Sequence, residues 1–252
     1  MIPGLRSDAR THAGTVRSRN EDAVVHRPDL GLWAVADGAG GHGGGDVAAA
    51  AVASALEGIP PGLSAAEMLA QLRLRLSATH EALRRRAAEQ GPGRVMASTI
   101  VVLLLRSRHF ACLWAGDSRA YRLREGALQM LTRDHSLVQE MVDRGELAAE
   151  AAERHPQANI ILRAVGGGEG PLLLDKVSDS LQPGDVFLLC SDGLFKALPE
   201  EAIARLLRQG ADAAALVQGA VAAGARDNVS AVVLRHDGAE DTLPGLPRAP
   251  AR

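Results

Sequence analysis

The chain has 252 residues, 46% of them hydrophobic and 23% charged, with a formal net charge of −2. That length supplies one large domain with a sizeable core, and the charge balance gives no bulk reason to bind nucleic acid or an anionic membrane. The two cysteines, Cys112 and Cys190, are too few for a disulfide scaffold, no apolar run approaches a bilayer span, and the first residues lack a secretory apolar centre, so a cytoplasmic protein with buried, reduced thiols is expected.

Residues 24–25 and 31–36 read as strands. The alanine- and valine-rich stretch 46–56 reads as a buried helix that stops at "EGIPPG". A longer helix is predicted over 64–90. Its Met68, Leu69, Leu72, Leu76 and Leu83 fall at helical spacing, and Ser64 with Glu67 fits a capping box. Three strands follow at "STIVVLLLR", "HFACLWAGD" and "RAYRLREG", separated by turns at Ser107–Arg108 and before a turn at Glu125–Gly126.

"SLVQEMVDRGEL" reads as a helix and residues 148–170 as an irregular, mobile excursion ending in "ILRAVGGGEG". Strands at "LLLDKVSD" and "DVFLLCSDG" come next, then helices at "PEEAIARLLRQG" and "ADAAALVQGAVAAGA", then a closing strand, "NVSAVVLRH". The tail 237–252, with Pro244, Pro247 and Pro250, is expected to be disordered. Antiparallel hairpins with paired helices between them predict an α+β fold, one domain over residues 1–236.

"VADGAGGHGGGD" places Gly38, Gly40 and Gly43 at the spacing G-x-G-x-x-G after a strand. A dinucleotide site needs a second parallel strand after the helix, ending in an acidic residue. Here the helix runs into "EGIPPGLS" and another helix, so Glu57 has no strand to carry it. A P-loop would need Lys-Ser/Thr after the glycines, and none follows. Both readings fail on context.

The aspartates say more. Asp37 and Asp192 end apolar runs and precede glycine, Asp117 follows Gly116, Asp227 stands before the last strand, and Asp22 follows Glu21 at an early one. Carboxylates gathered at one rim repel, and persist only where cations hold them. Oxygen donors suit Mg2+ or Mn2+ rather than zinc. A glycine after a ligating aspartate lets its carbonyl turn inward and leaves room for water. Taken singly, each of these aspartates is more simply a turn or cap residue, so the case rests on their co-occurrence.

"GTVRSRNED", "VADGAGGH", "MASTIVVLLL", "WAGDSRAYRL", "LTRDHSLVQEMVDRGEL", "NIILRAVG", "GDVFLLCSDGL" and "ARDNVSAVVL" follow one another in this order. With these motifs the chain resembles the metal-dependent protein phosphatases, the PPM or type 2C serine/threonine family, in its bacterial branch, over roughly residues 10–236. The resemblance implies a four-layer α-β-β-α sandwich of two antiparallel sheets flanked by helix pairs. It also implies two Mn2+ or Mg2+ ions per site and a third, weaker ion.

By the same resemblance Asp37 bridges both metals and the Gly38 carbonyl ligates one of them, while Asp192 and Asp227 ligate the other. Glu21 and Asp22 match the acidic pair at the site edge, and Asp117 joins Asp192 at the third ion. Arg17 holds the substrate phosphate; Arg19, off the family's register, is expected on the surface. The implied reaction is hydrolysis of phosphoserine and phosphothreonine in proteins by a hydroxide bridging two cations, opposing a bacterial Ser/Thr kinase. The implied partners are that kinase and its phosphorylated substrates, met by a monomer with no nucleic acid and no membrane span.

The chain departs from the family where Ala39 stands in place of a histidine found in eukaryotic relatives. His42 has a structural reading, as do Asp134 and His135 in "RDHS". Ser118 and Ser191 adjoin expected ligands but carry no mark of a nucleophile. Residues 136–170 match the family's flap, which bears on substrate choice. The alternative is a non-catalytic binding module with this fold; intact Asp37, Asp192, Asp227 and Arg17 argue against it.

Overall fold

Strands buried on both faces need a layer on each side, and helices with one apolar stripe need a sheet to lie on. The computed structural model describes residues 4–40 and 44–237, so His42 and the expected disordered tail beyond Asp237 lie outside the described residues. In chain order the elements begin with β1 (Leu5–His12), β2 (Asp22–Arg27), β3 (Leu32–Ala39), α1 (Gly45–Glu57) and α2 (Ala65–Glu89). Next come β4 (Ala97–Ser98), β5 (Ile100–Arg106), β6 (His109–Ala115), β7 (Arg119–Arg124) and β8 (Ala127–Met130). Then α3 (Leu137–Asp143), α4 (Ala149–Ala152), β9 (Asp175–Ser180) and β10 (Val186–Cys190) lead to α5 (Asp192–Ala197), α6 (Glu200–Arg208), α7 (Ala213–Ala222) and β11 (Val229–His236).

One sheet runs β2-β3-β5-β6-β9, with β4 beside β3, and the other runs β1-β11-β10-β7-β8. The pairings between neighbours are antiparallel. Alternation along the strands sorts the side chains into three apolar layers. Leu32 and Ala34 of β3 and Val102 and Leu104 of β5 meet Val52 and Leu56 of α1 and Met68, Leu72 and Leu76 of α2. Tyr121, Leu188 and Val233 of the other sheet meet Leu194, Leu207, Leu216 and Val217 of α5, α6 and α7.

Between the sheets lie Trp33, Val101, Leu103, Phe110, Phe187, Leu189 and Val232. Phe110 and Phe187 meet edge to face there, ring centroids 4.9 Å apart. The result is the expected α-β-β-α stack. Cys112 lies in the middle layer and Cys190 in an outer one, so the thiols cannot pair; burial raises the pKa of both.

Several elements repay the sequence reading. Ser64 Oγ accepts from the Glu67 N–H (3.3 Å), and Glu67 Oε2 accepts from the Ser64 N–H (2.8 Å), closing the capping box on α2. Others depart from it. β1, where no strand is predicted, pairs with β11 from Leu5 opposite His236 to His12 opposite Val229. Its sequence, LRSDARTH, is polar because it is a sheet edge, where charges deter further pairing. β8 follows the turn at Glu125 and Gly126, whose φ of 50° and 78° suit a type I′ hairpin. Asp192 does not end a strand; it is the first residue of α5.

The glycine-rich end of the excursion is tied to α2. His80, buried on that helix, accepts the Gly166 N–H at Nδ1 (2.9 Å), so its Nε2–H faces the Gly170 carbonyl (3.0 Å). Strand register then fixes where chemistry can gather. Asp22 stands opposite Asp37, Ile100 opposite Ala115, and Cys190 opposite both Arg119 and Ala231. The ends of β3, β6 and β10 and the starts of β2, β7 and β11 therefore share one end of the sandwich.

Phe187→Ala is expected to destabilise the protein by about 3–5 kcal/mol, since the middle layer is closed on both sides and cannot collapse into the gap. Urea unfolding measures it; a loss under about 1 kcal/mol would mean the two sheets are not packed as described.

Candidate active site

At that end, Arg17, Glu21, Asp37, Gly38, Asp117, Asp192 and Asp227 line one cavity of about 460 Å³. Ser18, Arg19, Ala39, Gly40, Asn159, Ile161 and Asn228 complete its walls. Arg19 is exposed as expected, yet it faces the same space as Arg17. Asp22 sits behind the wall. One of its oxygens accepts from Ser191 Oγ (2.8 Å) and Ser230 Oγ (2.6 Å), and the other is buried without a partner.

Backbone contacts position the aspartates. The Asp37 N–H donates to Thr99 Oγ1 (3.1 Å), and its carbonyl accepts from the Thr99 N–H (2.8 Å). The Thr99 hydroxyl in turn meets that of Ser118 (2.7 Å), beside Asp117. Gly116 makes this junction possible: its φ is +117°, and a Cβ there would lie 2.6 Å from the Thr99 side chain. At Gly38 a Cβ would lie 2.3 Å from the Gly45 carbonyl oxygen and 2.6 Å from that of Glu21. The glycine after Asp37 is required by this crossing of three backbones, a tighter constraint than room for water.

Asn228 escaped the sequence reading. Its amide donates to the carbonyls of Ala13 (3.0 Å) and Arg19 (2.9 Å), and its oxygen accepts the Glu21 N–H (2.8 Å). One buried side chain thus pins the loop bearing Arg17 and Arg19 against β11. The available signal was a polar residue entering an apolar strand, in "DNVS". Asp134 and His135 take the structural roles read for them. Asp134 pairs with Arg119, and His135 accepts the Gly116 N–H at Nδ1 (3.2 Å) and stacks on Trp114. Ser191 and Ser118 are engaged in the hydrogen bonds already described.

Burial raises the pKa of Asp37 well above the carboxylate range, and the charges of Asp22, Asp192 and Asp117 add to it. Asp22 and Asp117 are pushed up to about 7, in both cases first by burial. Burial and Asp46 raise Glu21. Two carboxylates instead close on cations of the chain itself. Arg17 forks onto Asp227 with contacts of 2.9 and 2.8 Å, which outweigh burial and hold Asp227 below its usual range. Lys196 Nζ meets Asp192 Oδ2 at 2.5 Å.

Among the described residues, no three acidic, histidine or cysteine side chains are drawn closely enough to grip an ion as they stand. The donor chemistry nevertheless fits a divalent cation. The set is all oxygen, one buried carboxylate oxygen has no partner, and three carboxyls are raised by burial and crowding. Mg2+ or Mn2+ satisfies each of these features, and zinc's sulfur and imidazole preferences do not.

Raised carboxyls carry a sign. With metal chelated, folded Asp22 and Asp117 keep protons up to about 7, whereas the unfolded chain loses them near 3.8. The folded state binds more protons in that window, so stability is greatest at its acid end and falls as pH rises through it. In chelator, Tm is expected to drop between about pH 5 and pH 7.5, and millimolar Mn2+ to restore most of the loss at the upper value. A Tm that climbs across this range in chelator would contradict the assignment.

Comparison with known proteins identifies the family. Residues 11–226 match the family described as protein phosphatase 2C. The serine/threonine protein phosphatase PstP of Mycobacterium tuberculosis is 36% identical over 233 residues, 91% of this chain; the chain spans 44% of that relative's length. The structure described as PppA, a key regulatory component of T6SS in Pseudomonas aeruginosa, superimposes with a TM-score of 0.84 at 40% identity, covering 93% of this chain and 98% of the other. The catalytic domain of PstP in complex with two manganese ions gives a TM-score of 0.79 at 34% identity, covering 92% and 97%. Matched along most of its length in both sequence and architecture, the chain belongs to the protein phosphatase 2C family.

Proposed function

We propose that this chain hydrolyses phosphoserine and phosphothreonine esters in proteins, in a reaction that requires Mn2+ or Mg2+. The observation that carries the reading is one cavity holding an arginine fork beside oxygen donors gathered at the strand ends of both sheets. Family membership and a two-manganese relative at 34% identity support it.

Glu21, Asp37, the Gly38 carbonyl, Asp192 and Asp227 are the groups we assign to two ions, with Asp117 at the far end of the cavity and Asp22 behind them. Bound there, the ions supply an activated water and offset the charge of the phosphoryl group. Asp227 must first let go of Arg17 to serve as a ligand, whereas Asp192 offers Oδ1 to an ion while its Oδ2 stays on Lys196. That exchange frees the Arg17 guanidinium, which then forks onto two non-bridging oxygens of the ester and orients it for in-line attack. Asn228 holds the Arg17 loop in place, so the guanidinium arrives without a search.

Asn159 and Ile161, from residues 136–170, close one side of the cavity and are placed to meet the protein that carries the phosphate. We assign residues 1–236 as the catalytic domain, acting as a monomer in the cytoplasm. Its substrates would be proteins phosphorylated by a Ser/Thr kinase. No helix among the described residues is long and apolar enough to cross a membrane.

Phosphate release from a phosphothreonine peptide with Mn2+ is the direct test. Release is expected to stop on chelation and to fall about 10²–10³-fold in Asp192→Asn or Arg17→Ala, the usual loss for a group that stabilises charge in the transition state. No release from a panel of phosphopeptides or from a small aryl phosphate, with Mn2+ bound, would replace this reading with a non-catalytic binding module.

A further inference from the structure

Basic residues in this chain are arginines with two exceptions, Lys176 and Lys196. Lys196 stands in the last turn of α5, four residues after Asp192, the orientation in which acid and base attract along a helix. Its Nζ lies 2.5 Å from Asp192 Oδ2 and 2.7 Å from Asn159 Oδ1. Both members of the pair are largely shielded, with side chains 31% and 17% exposed. Burial opposes the lysine's charge, yet the carboxylates of Asp192, Asp117 and Asp37 outweigh it and raise its pKa. Asp117 and Lys196 also line one small cavity together, beside Arg119, Asp134 and Phe195.

The position is also anchored. Phe195, the preceding residue, is buried under the Arg119 guanidinium, which lies 3.7 Å from the ring centroid and is paired with Asp134. A lysine fits such a place better than an arginine would. Its ammonium is a compact point charge that sits among carboxylates much as a small cation does, whereas a guanidinium needs a planar, two-toothed partner.

We propose that Lys196 is a built-in cation that takes the Asp117–Asp192 end of the cavity in place of a third divalent ion, so that the chain loads two ions and no more. The inference rests on the metal-dependent reading above. A third ion at that end would have to break the Lys196–Asp192 contact and then sit beside the displaced ammonium. Through Asn159 the same amine also ties residues 136–170 to α5, so the charge that fills the site fastens its border.

The test is the number of Mn2+ ions bound per chain, measured by equilibrium dialysis with elemental analysis over a range of free Mn2+. The wild type is expected to bind two. Lys196→Met is expected to bind three, the added ion at least about tenfold tighter than any third ion in the wild type, as removal of an adjacent unit charge in a shielded site requires. Lys196→Gln serves as the second variant should the methionine disturb folding. Adding Asp117→Asn to either is expected to return the count to two, which places the gained ion. Three ions in the wild type, or two in both single variants, overturns the proposal while leaving the metal-dependent reading intact. No bound Mn2+ in any of the proteins overturns that reading and this inference with it.

Discussion

Repulsion among buried carboxylates governs this end of the molecule. Asp22, Asp37, Asp117, Asp192 and Asp227 converge at the strand ends of both sheets into and behind a single cavity, and burial together with mutual charge raises the pKa of the first three. A cluster of this kind is costly unless countercharge is near. The chain supplies some of it itself, through Arg17 on Asp227 and Lys196 on Asp192. The remainder matches what a divalent cation offers. Stability is thereby given up at the site, and the packed layers around it have to make good the loss.

The supporting contacts are correspondingly specific. Ser230 of β11 and Ser191, just after β10, both donate to one oxygen of Asp22 on the other sheet. Asn228 ties together three backbone segments, and Gly38, Gly45 and Gly116 permit approaches that any side chain would block. None of these residues contributes a charge. They set the distances at which charged groups can cooperate, which is what preorganisation requires.

Much of this was readable from the sequence because it is local. Periodicity and a capping box locate α2, continuous apolar runs locate β3 and β5, and the aspartates announce themselves at the ends of apolar runs. What escaped is long-range. β1 looks like loop because an edge strand that pairs on one side has no need of an apolar pattern. α5 is hidden by its six residues, too short for a helical period to register. The pairing of Arg17 with Asp227 spans 210 positions in the chain, and the placement of Lys196 against Asp192 depends on where α5 begins. The ends of strands can be read from composition; which ends meet is decided by sheet order.

The site has no scaffold of its own. Asp37 lies on one sheet with Glu21 just ahead of its β2, Asp192 follows β10 and Asp227 precedes β11 of the other, and between the sheets lies the apolar layer in which Phe110 meets Phe187 edge to face. That layer acts as a spacer gauge. Any change in its thickness, or any slip of one sheet over the other, is delivered undiminished to the gap between the two sets of carboxylates. Residues in the middle of the sandwich, remote from solvent and from any ligand, therefore tune the chemistry at its rim.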